Sequence, residues 1–490
     1  MKPRIKAKTI FLATLVTTFA VILTDCDDND NDKLVAASEI SLSINGEHYD
    51  ISLPATETVN LTTLCTEFDA EVIVENSAAF QRITIDGKAV EKGSCSLPIS
   101  RIDRDTQIEI AYTTGREQGR VLINTLHADI PEMKTTGQAK APGDFYLSFV
   151  WKRLIMKYDN DGRILFYRYE PHTVANSNDD SGWWDFKKHT GDNGKTYYSY
   201  HANDPAFTDR LFAGYDPGMR IILDDHYNPI KTIHLLASRD GTVIEGEPLD
   251  GHDFYFFSPN HYIVSAYLNR TLKDRTVAAS YLQEVQDGKV VFDWWSTEHP
   301  ELEQWANPTF DTSFDYVHFN SIQVLSDGNW LCSFRHICSL LKINRADSTG
   351  NILWAIHGAD LDEKYRFYGQ HYATLLDNGT LTLFDNGNGH TPQTTRLLCL
   401  KINPVTGDVT GGGNILPESD NSYYSKACGS FAKVGDYYVA GWGHPGLEQG
   451  PHDRLVTEYD DAGREIFGIR QTGNYQQNAV GGSYRCVKYK

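Results

Sequence analysis

The sequence predicts an all-β protein: a six-bladed β-propeller preceded by a small N-terminal β-sandwich. Three observations predict it. A loose repeat of roughly 40 to 60 residues recurs along most of the chain. Asp/Asn-Gly hairpin turns sit inside its copies. Helical periodicity is almost absent. The 490 residues suffice for a small domain and a large one, and the 12% aromatic content suits sheets.

The chain opens on a targeting pattern. Lys2, Arg4, Lys6 and Lys8 precede an apolar run from Thr9 to Thr24, short for a membrane span. Asp25, Cys26 and an Asp/Asn-rich stretch follow. A Cys directly after the run predicts a bacterial lipoprotein signal, acylated at Cys26, with residues 1–33 as signal and acidic tether. A small residue is usual where Asp25 stands; a plain secretory signal and an uncleaved anchor are the other readings. All three place the folded part outside the cytoplasm, in the periplasm or on the cell surface.

Residues 34–135 read as the sandwich. Its short alternating strands are Glu39–Ile44, Ala70–Val74, Arg82–Asp86, Gln107–Tyr112 and Arg120–Asn124. From His127 to Asp144 the apolar periodicity fades, as in a linker. Cys65 and Cys95 are candidates to pair in an oxidising compartment, as are Cys332 and Cys338 about a turn at Arg335, with free buried thiols as the other reading.

Residues 136–490 carry the repeat. Each copy runs apolar strand, Asp/Asn-Gly turn, strand, loop, an L-x-K-I strand, a Gly turn and a strand ending in an aromatic. The cleanest copy is His318 to Gly358, and others are Gln370–Thr410, Asp253–Trp295 and Ser422–Arg470. Degenerate copies cover Tyr146–Tyr169 and 181–243. The count is six, and the terminal Ser483–Tyr489 is expected to return to the first blade so that no sheet edge stays exposed.

Three histidines then fall at one place in the repeat. His252, His318 and His371 each stand at the start of a blade's first strand, which lines the central channel of a propeller. Asn320 shares the side of His318 two residues on, and Arg335 sits where that blade's second strand turns. Scattered polar strand ends explain one such histidine better than they explain three.

These motifs resemble the bacterial arylsulfate sulfotransferases that work without a nucleotide sulfate donor. The resemblance covers most of the chain and is most specific in Gly251-His252-Asp253, His318-Phe319-Asn320-Ser321, Ser333-Phe334-Arg335, Leu341-Lys342-Ile343-Asn344 and Gly369-Gln370-His371. It implies a ping-pong transfer from a phenolic sulfate to a phenol, with His371 as the residue that becomes sulfated. It further implies sulfuryl-binding or proton-handling roles for His252, His318, Asn320 and Arg335. The only cysteines near these motifs flank Arg335, so the resemblance assigns no disulfide at the nucleophile.

The chemistry suits those residue types independently. A neutral imidazole is a good nucleophile at pH 7 and splits one difficult transfer into two. Arg and amide donors match charge on sulfuryl oxygens, and a second His can move the phenol proton. The reaction requires no metal and no cofactor.

Other signals take plainer readings. Asp159-Asn160-Asp161-Gly162 is a hairpin turn, since no Glu follows at calcium-loop spacing. Phe384 to His390 is explained by Gly turns, with a place at the pocket border as the other reading. Trp183-Trp184 and Trp294-Trp295 fit blade core better than a binding stack.

The net charge of −20 excludes nucleic acid as a partner. Expected partners are small phenolic sulfates and phenols, a membrane through the lipid anchor, and a second copy in a homodimer. A ligand-binding propeller without catalysis, and a propeller hydrolase or lyase using the same histidines, are the rival functions.

Overall fold

The computed structural model describes residues 38–489, apart from 45–46, 54–58, 64–69, 86, 91–93, 98–106, 115–117, 128–129, 131–132, 163, 171–181, 205–206, 208–213, 418–422, 446–452 and 472–481. The targeting segment with Cys26, and Cys65, lie outside these residues. So does the side chain of Cys95. Two compact units divide the chain, residues 1–100 with 106–128 and residues 101–105 with 129–490.

The first unit holds two sheets. One orders its strands Glu47–Ser52, Glu39–Ile44, Ala70–Val74 and Ser94–Leu97. The other orders Val59–Thr63, Gln118–His127, Gln107–Thr113, Arg82–Ile85 and Lys88–Ala89. Alternation in the strands sends Ile40, Leu42, Val74, Ile85, Ile110 and Val121 into one shared core.

Among the described residues of the second unit, six sheets of four or more strands follow along the chain. Their innermost strands are Ser483–Tyr489, Trp184–Thr190, Tyr255–Ser258, Phe319–Val324, His371–Leu375 and Ser430–Val434. Each lies against the next, and the last returns to Ser483–Tyr489. That closure is a propeller-like ring. The terminal strand pairs antiparallel with Asp144–Phe149, from Asp144 opposite Tyr489 to Phe149 opposite Ser483, as its sequence leads one to expect.

Apolar side chains fill the wedges between sheets. Trp294 and Phe292 meet Trp330 and Phe334 in one wedge; Leu331, Leu340 and Trp354 meet Leu381 and Leu398 in the next. The recurrent Lys of the L-x-K-I strand ties the blade to its own turn: Lys342 Nζ meets Asp327 Oδ2 at 2.6 Å.

Two expectations need correction. The stretch read as a linker contains a strand, Met133–Gly137, which pairs with Glu465–Gln471 as a fifth strand and straddles the expected domain boundary. Its side chains are mostly solvent-facing, so it carries no apolar alternation and is held by backbone pairing. A Cβ on Gly137, at φ +72°, would lie 2.0 Å from the Ile466 carbonyl oxygen. Cys332 and Cys338 are both free and buried. The ladder ends at Phe334 opposite Ser339, which sets Cys332 opposite Leu341 and leaves Cys338 in the turn.

Candidate active site

Three of the innermost strands bring the predicted histidines together. His371 is the first residue of its strand, His318 immediately precedes Phe319–Val324, and His252 lies three residues ahead of Tyr255–Ser258. Ring centroids of His252 and His318 are 4.9 Å apart, and those of His252 and His371 are 6.4 Å apart. All three are buried and line a cavity of about 820 Å³ together with Arg335, Trp184, Phe310 and Tyr424.

His371 is held in one tautomer. Its Nδ1 meets Asn386 Oδ1 at 2.7 Å and the Gly369 carbonyl at 3.1 Å. The Asn386 amide cannot be turned the other way, because its Nδ2 donates to the Ser425 and Cys428 carbonyls at 2.8 and 3.0 Å. Nδ1 therefore carries the proton and the lone pair is on Nε2, where the Cys428 N–H approaches at 3.3 Å. Burial, then the charge of Arg335 and the neighbouring His252, hold His371 well below its ordinary value. The imidazole is neutral at pH 7.

The other two imidazoles are each backed by a carboxylate. His252 Nδ1 donates to Asp250 Oδ1 at 2.7 Å, and Asp250 Oδ2 accepts from Ser265 Oγ at 3.0 Å. His318 Nδ1 bonds to Asp315 Oδ2. His318 adopts φ +55°, which a non-glycine residue seldom holds outside a constrained site. Burial depresses His318 and pushes Asp315 up to about 6.

Arg335 comes from the turn after Trp330–Phe334. Its guanidinium donates to the Lys426 carbonyl at 3.1 Å and lies 4.5 Å over the Phe310 ring. Its Nε is buried without a hydrogen-bond partner. A buried cationic donor lacking an acceptor, on the wall of the cavity that the three imidazoles line, suits an anionic ligand.

Asn320 is placed differently from expectation. It is fully buried and absent from the cavity lining; its Nδ2 donates to the Gln370 carbonyl at 2.6 Å, and its own carbonyl accepts from Arg485. It positions the residue before His371. Sequence reasoning passed over Asp250, Asp315 and His336, and it gave Asn386 to a Gly turn and Trp184 to the blade core ahead of their place at the site. The two aspartates did carry a signal, standing two and three residues before their histidines. Trp184 stacks on Tyr484 at 4.6 Å and faces the cavity, whereas Trp183, Trp294 and Trp295 are core as expected.

The neutral histidines set a pH dependence of stability. His201, depressed to about 3 by burial, and His371 stay uncharged in the fold, while in the unfolded chain they protonate near 6.5. Protons bound only by the unfolded chain destabilise the fold. Stability is full above pH 6.5 and falls below it by roughly 1 kcal/mol per pH unit for each histidine. Urea midpoints at pH 7.5 and 5.5 should show this fall, and His371→Asn should make it shallower. Equal slopes in wild type and variant would count against a neutral His371.

Comparison with known proteins then decides the family. The profile of the arylsulfotransferase (ASST) family matches residues 206–472, more than half of the chain and inclusive of His252, His318, Arg335 and His371. The chain belongs to the arylsulfotransferase family. Membership supports arylsulfotransferase activity in general, with phenolic sulfates and phenols as small-molecule substrates. No curated protein matches the sequence significantly.

Among solved structures, a protein of unknown function from Bacteroides caccae is similar at 11% identity and TM-score 0.40, covering 70% of this chain and 98% of that one. A catalytically inactive virginiamycin B lyase from Staphylococcus aureus, solved with quinupristin, is similar at 10% identity and TM-score 0.31, covering 70% and 99%. The fold of this arylsulfotransferase family member rests on its own sheets rather than on these likenesses.

Proposed function

We propose that the protein moves a sulfuryl group from an aryl sulfate to a phenol in two steps through a sulfohistidine at His371. The observation that carries this reading is the fixed tautomer: Asn386 and Gly369 hold the proton at Nδ1, leaving the Nε2 lone pair in a cavity that holds a guanidinium. Nε2 attacks sulfur, the N–S bond forms and the S–O bond to the aryl group breaks. The Cys428 N–H then turns from the lone pair to a sulfuryl oxygen, and Arg335 holds the others. His252, oriented by Asp250 through Nδ1, passes a proton to the departing phenolate and takes one from the acceptor phenol in the second step.

An amide at Nδ1 has a consequence for the intermediate. Asn386 Oδ1 accepts a hydrogen bond from Nδ1–H without taking the proton, so the sulfated ring stays cationic and a good leaving group. A carboxylate in its place would neutralise the ring and slow the second transfer.

The test is p-nitrophenyl sulfate with and without added phenol. Release of p-nitrophenol that phenol accelerates is expected. Release that ignores phenol would mean water is the acceptor, and binding without release would favour the non-catalytic propeller.

Export as a lipoprotein belongs to the same reading, supported by the apolar run Thr9–Thr24 with Cys26 two residues after it. Cys26→Ala should move the protein from the membrane to the soluble fraction. A wild-type protein already soluble after cell disruption would contradict the anchor.

A further inference from the structure

One cluster on the cavity wall is not used by the reaction as written. Asp315, His318 and His336 are all buried, and each offers a ligand atom within 4.8 Å of the others. His336 stacks on His318 at a centroid distance of 4.5 Å. Its Nδ1 donates to the Asp315 carbonyl at 2.6 Å and stands 3.6 Å from Asp315 Oδ2. Asp315 Oδ1 is buried and accepts no hydrogen bond. A buried carboxylate oxygen with no donor, beside two imidazole rings, favours a cation.

We propose that Asp315, His318 and His336 form a site for a divalent transition-metal ion of the zinc class, and that its occupation inhibits sulfuryl transfer. Two imidazoles and one carboxylate are the donor set that such ions take, with remaining coordination positions open to the cavity. Hard ions such as magnesium prefer oxygen ligands and fit this set poorly. Ligation through Nδ1 breaks the bonds of His318 to the Asp315 carboxylate and of His336 to the Asp315 carbonyl and moves each ring's proton to Nε2, since a neutral imidazole keeps one N–H. The His318 atom facing the cavity then changes from acceptor to donor, and the ion sits on the wall of the same cavity that takes the donor.

The binding half of this proposal stands on the cluster alone, and the inhibitory half rests on the sulfuryl-transfer reading. Metal-stripped full-length protein should take up one Zn²⁺ per chain at micromolar concentration in titration calorimetry. Co²⁺ should give the visible absorption of a low-symmetry nitrogen/oxygen site. Zn²⁺ should lower turnover at least tenfold, and a chelator should restore it. His336→Gln should weaken Zn²⁺ binding at least tenfold and raise the half-inhibiting concentration equally against its own metal-free rate. Asp315→Asn should do the same, and melting curves identify a variant that has unfolded.

No stoichiometric zinc, or stoichiometric zinc kept by folded His336→Gln and Asp315→Asn alike, would overturn the site. Variant-sensitive zinc binding that leaves turnover untouched would overturn the inhibitory role. A protein that binds zinc this way yet transfers no sulfuryl group would sustain the site and sink the functional reading instead.

Discussion

His371→Asn is expected to lower turnover of an aryl sulfate by roughly 10⁴-fold or more, because it removes the nucleophile while leaving the pocket in place. Asparagine retains a polar group near Asn386 and Gly369, but its amide nitrogen has no lone pair to offer sulfur. The fold should survive. His371 is tied by its own ring to those two acceptors, while its strand is held independently: Ala373 N donates to Ser321 Oγ at 3.2 Å, and Leu375 N to Gln323 Oε1 at 2.7 Å. Circular dichroism and the melting temperature should therefore stay close to wild type. Turnover within tenfold of wild type in a folded variant would mean that another group attacks sulfur.

The second large effect is at Arg335. Arg335→Lys is expected to cost about 10²- to 10³-fold in kcat/KM, the range for losing a preorganised donor to developing charge. The guanidinium serves three constraints at once: one amino group on the Lys426 carbonyl, a face on Phe310, and a buried Nε–H without a protein acceptor. An ammonium has neither the plane that rests on Phe310 nor the fork that spans two oxygens. If the loss falls mostly in kcat, the clamp acts on the transition state; if mostly in KM, it holds donor and transition state alike. A change below threefold would place the sulfuryl clamp elsewhere.

Much of this arrangement could be read before any coordinates. Asp/Asn-Gly turns and the L-x-K-I strand recur because each sheet makes the same hairpins, so the repeat exposes the ring. His252, His318 and His371 were legible because one position in a repeated unit points to one axis, and Arg335 because it stands at the turn of the blade that starts at His318. What escaped did so for physical reasons. Met133–Gly137 pairs through its backbone and has no buried face to pattern. Asn386 looked like the middle of an Asp-Asn-Gly turn, and only the fold shows its amide fixing the nucleophile. Asn320 was placed on the channel side by strand alternation, yet its amide is spent on the Gln370 carbonyl. Alternation gives a face; it does not give depth along the channel.

A donor-only pulse tests for a covalent sulfuryl group on His371. Protein mixed with p-nitrophenyl sulfate and no phenol should show a burst of one p-nitrophenol per chain. Intact-protein mass spectrometry should then show a gain of about 80 mass units, as a sulfuryl group attached by a nucleophile requires. The gain should be acid-labile, discharged by phenol, and absent from His371→Asn. Persistence of that gain in His371→Asn would contradict the account and move the nucleophile to another residue.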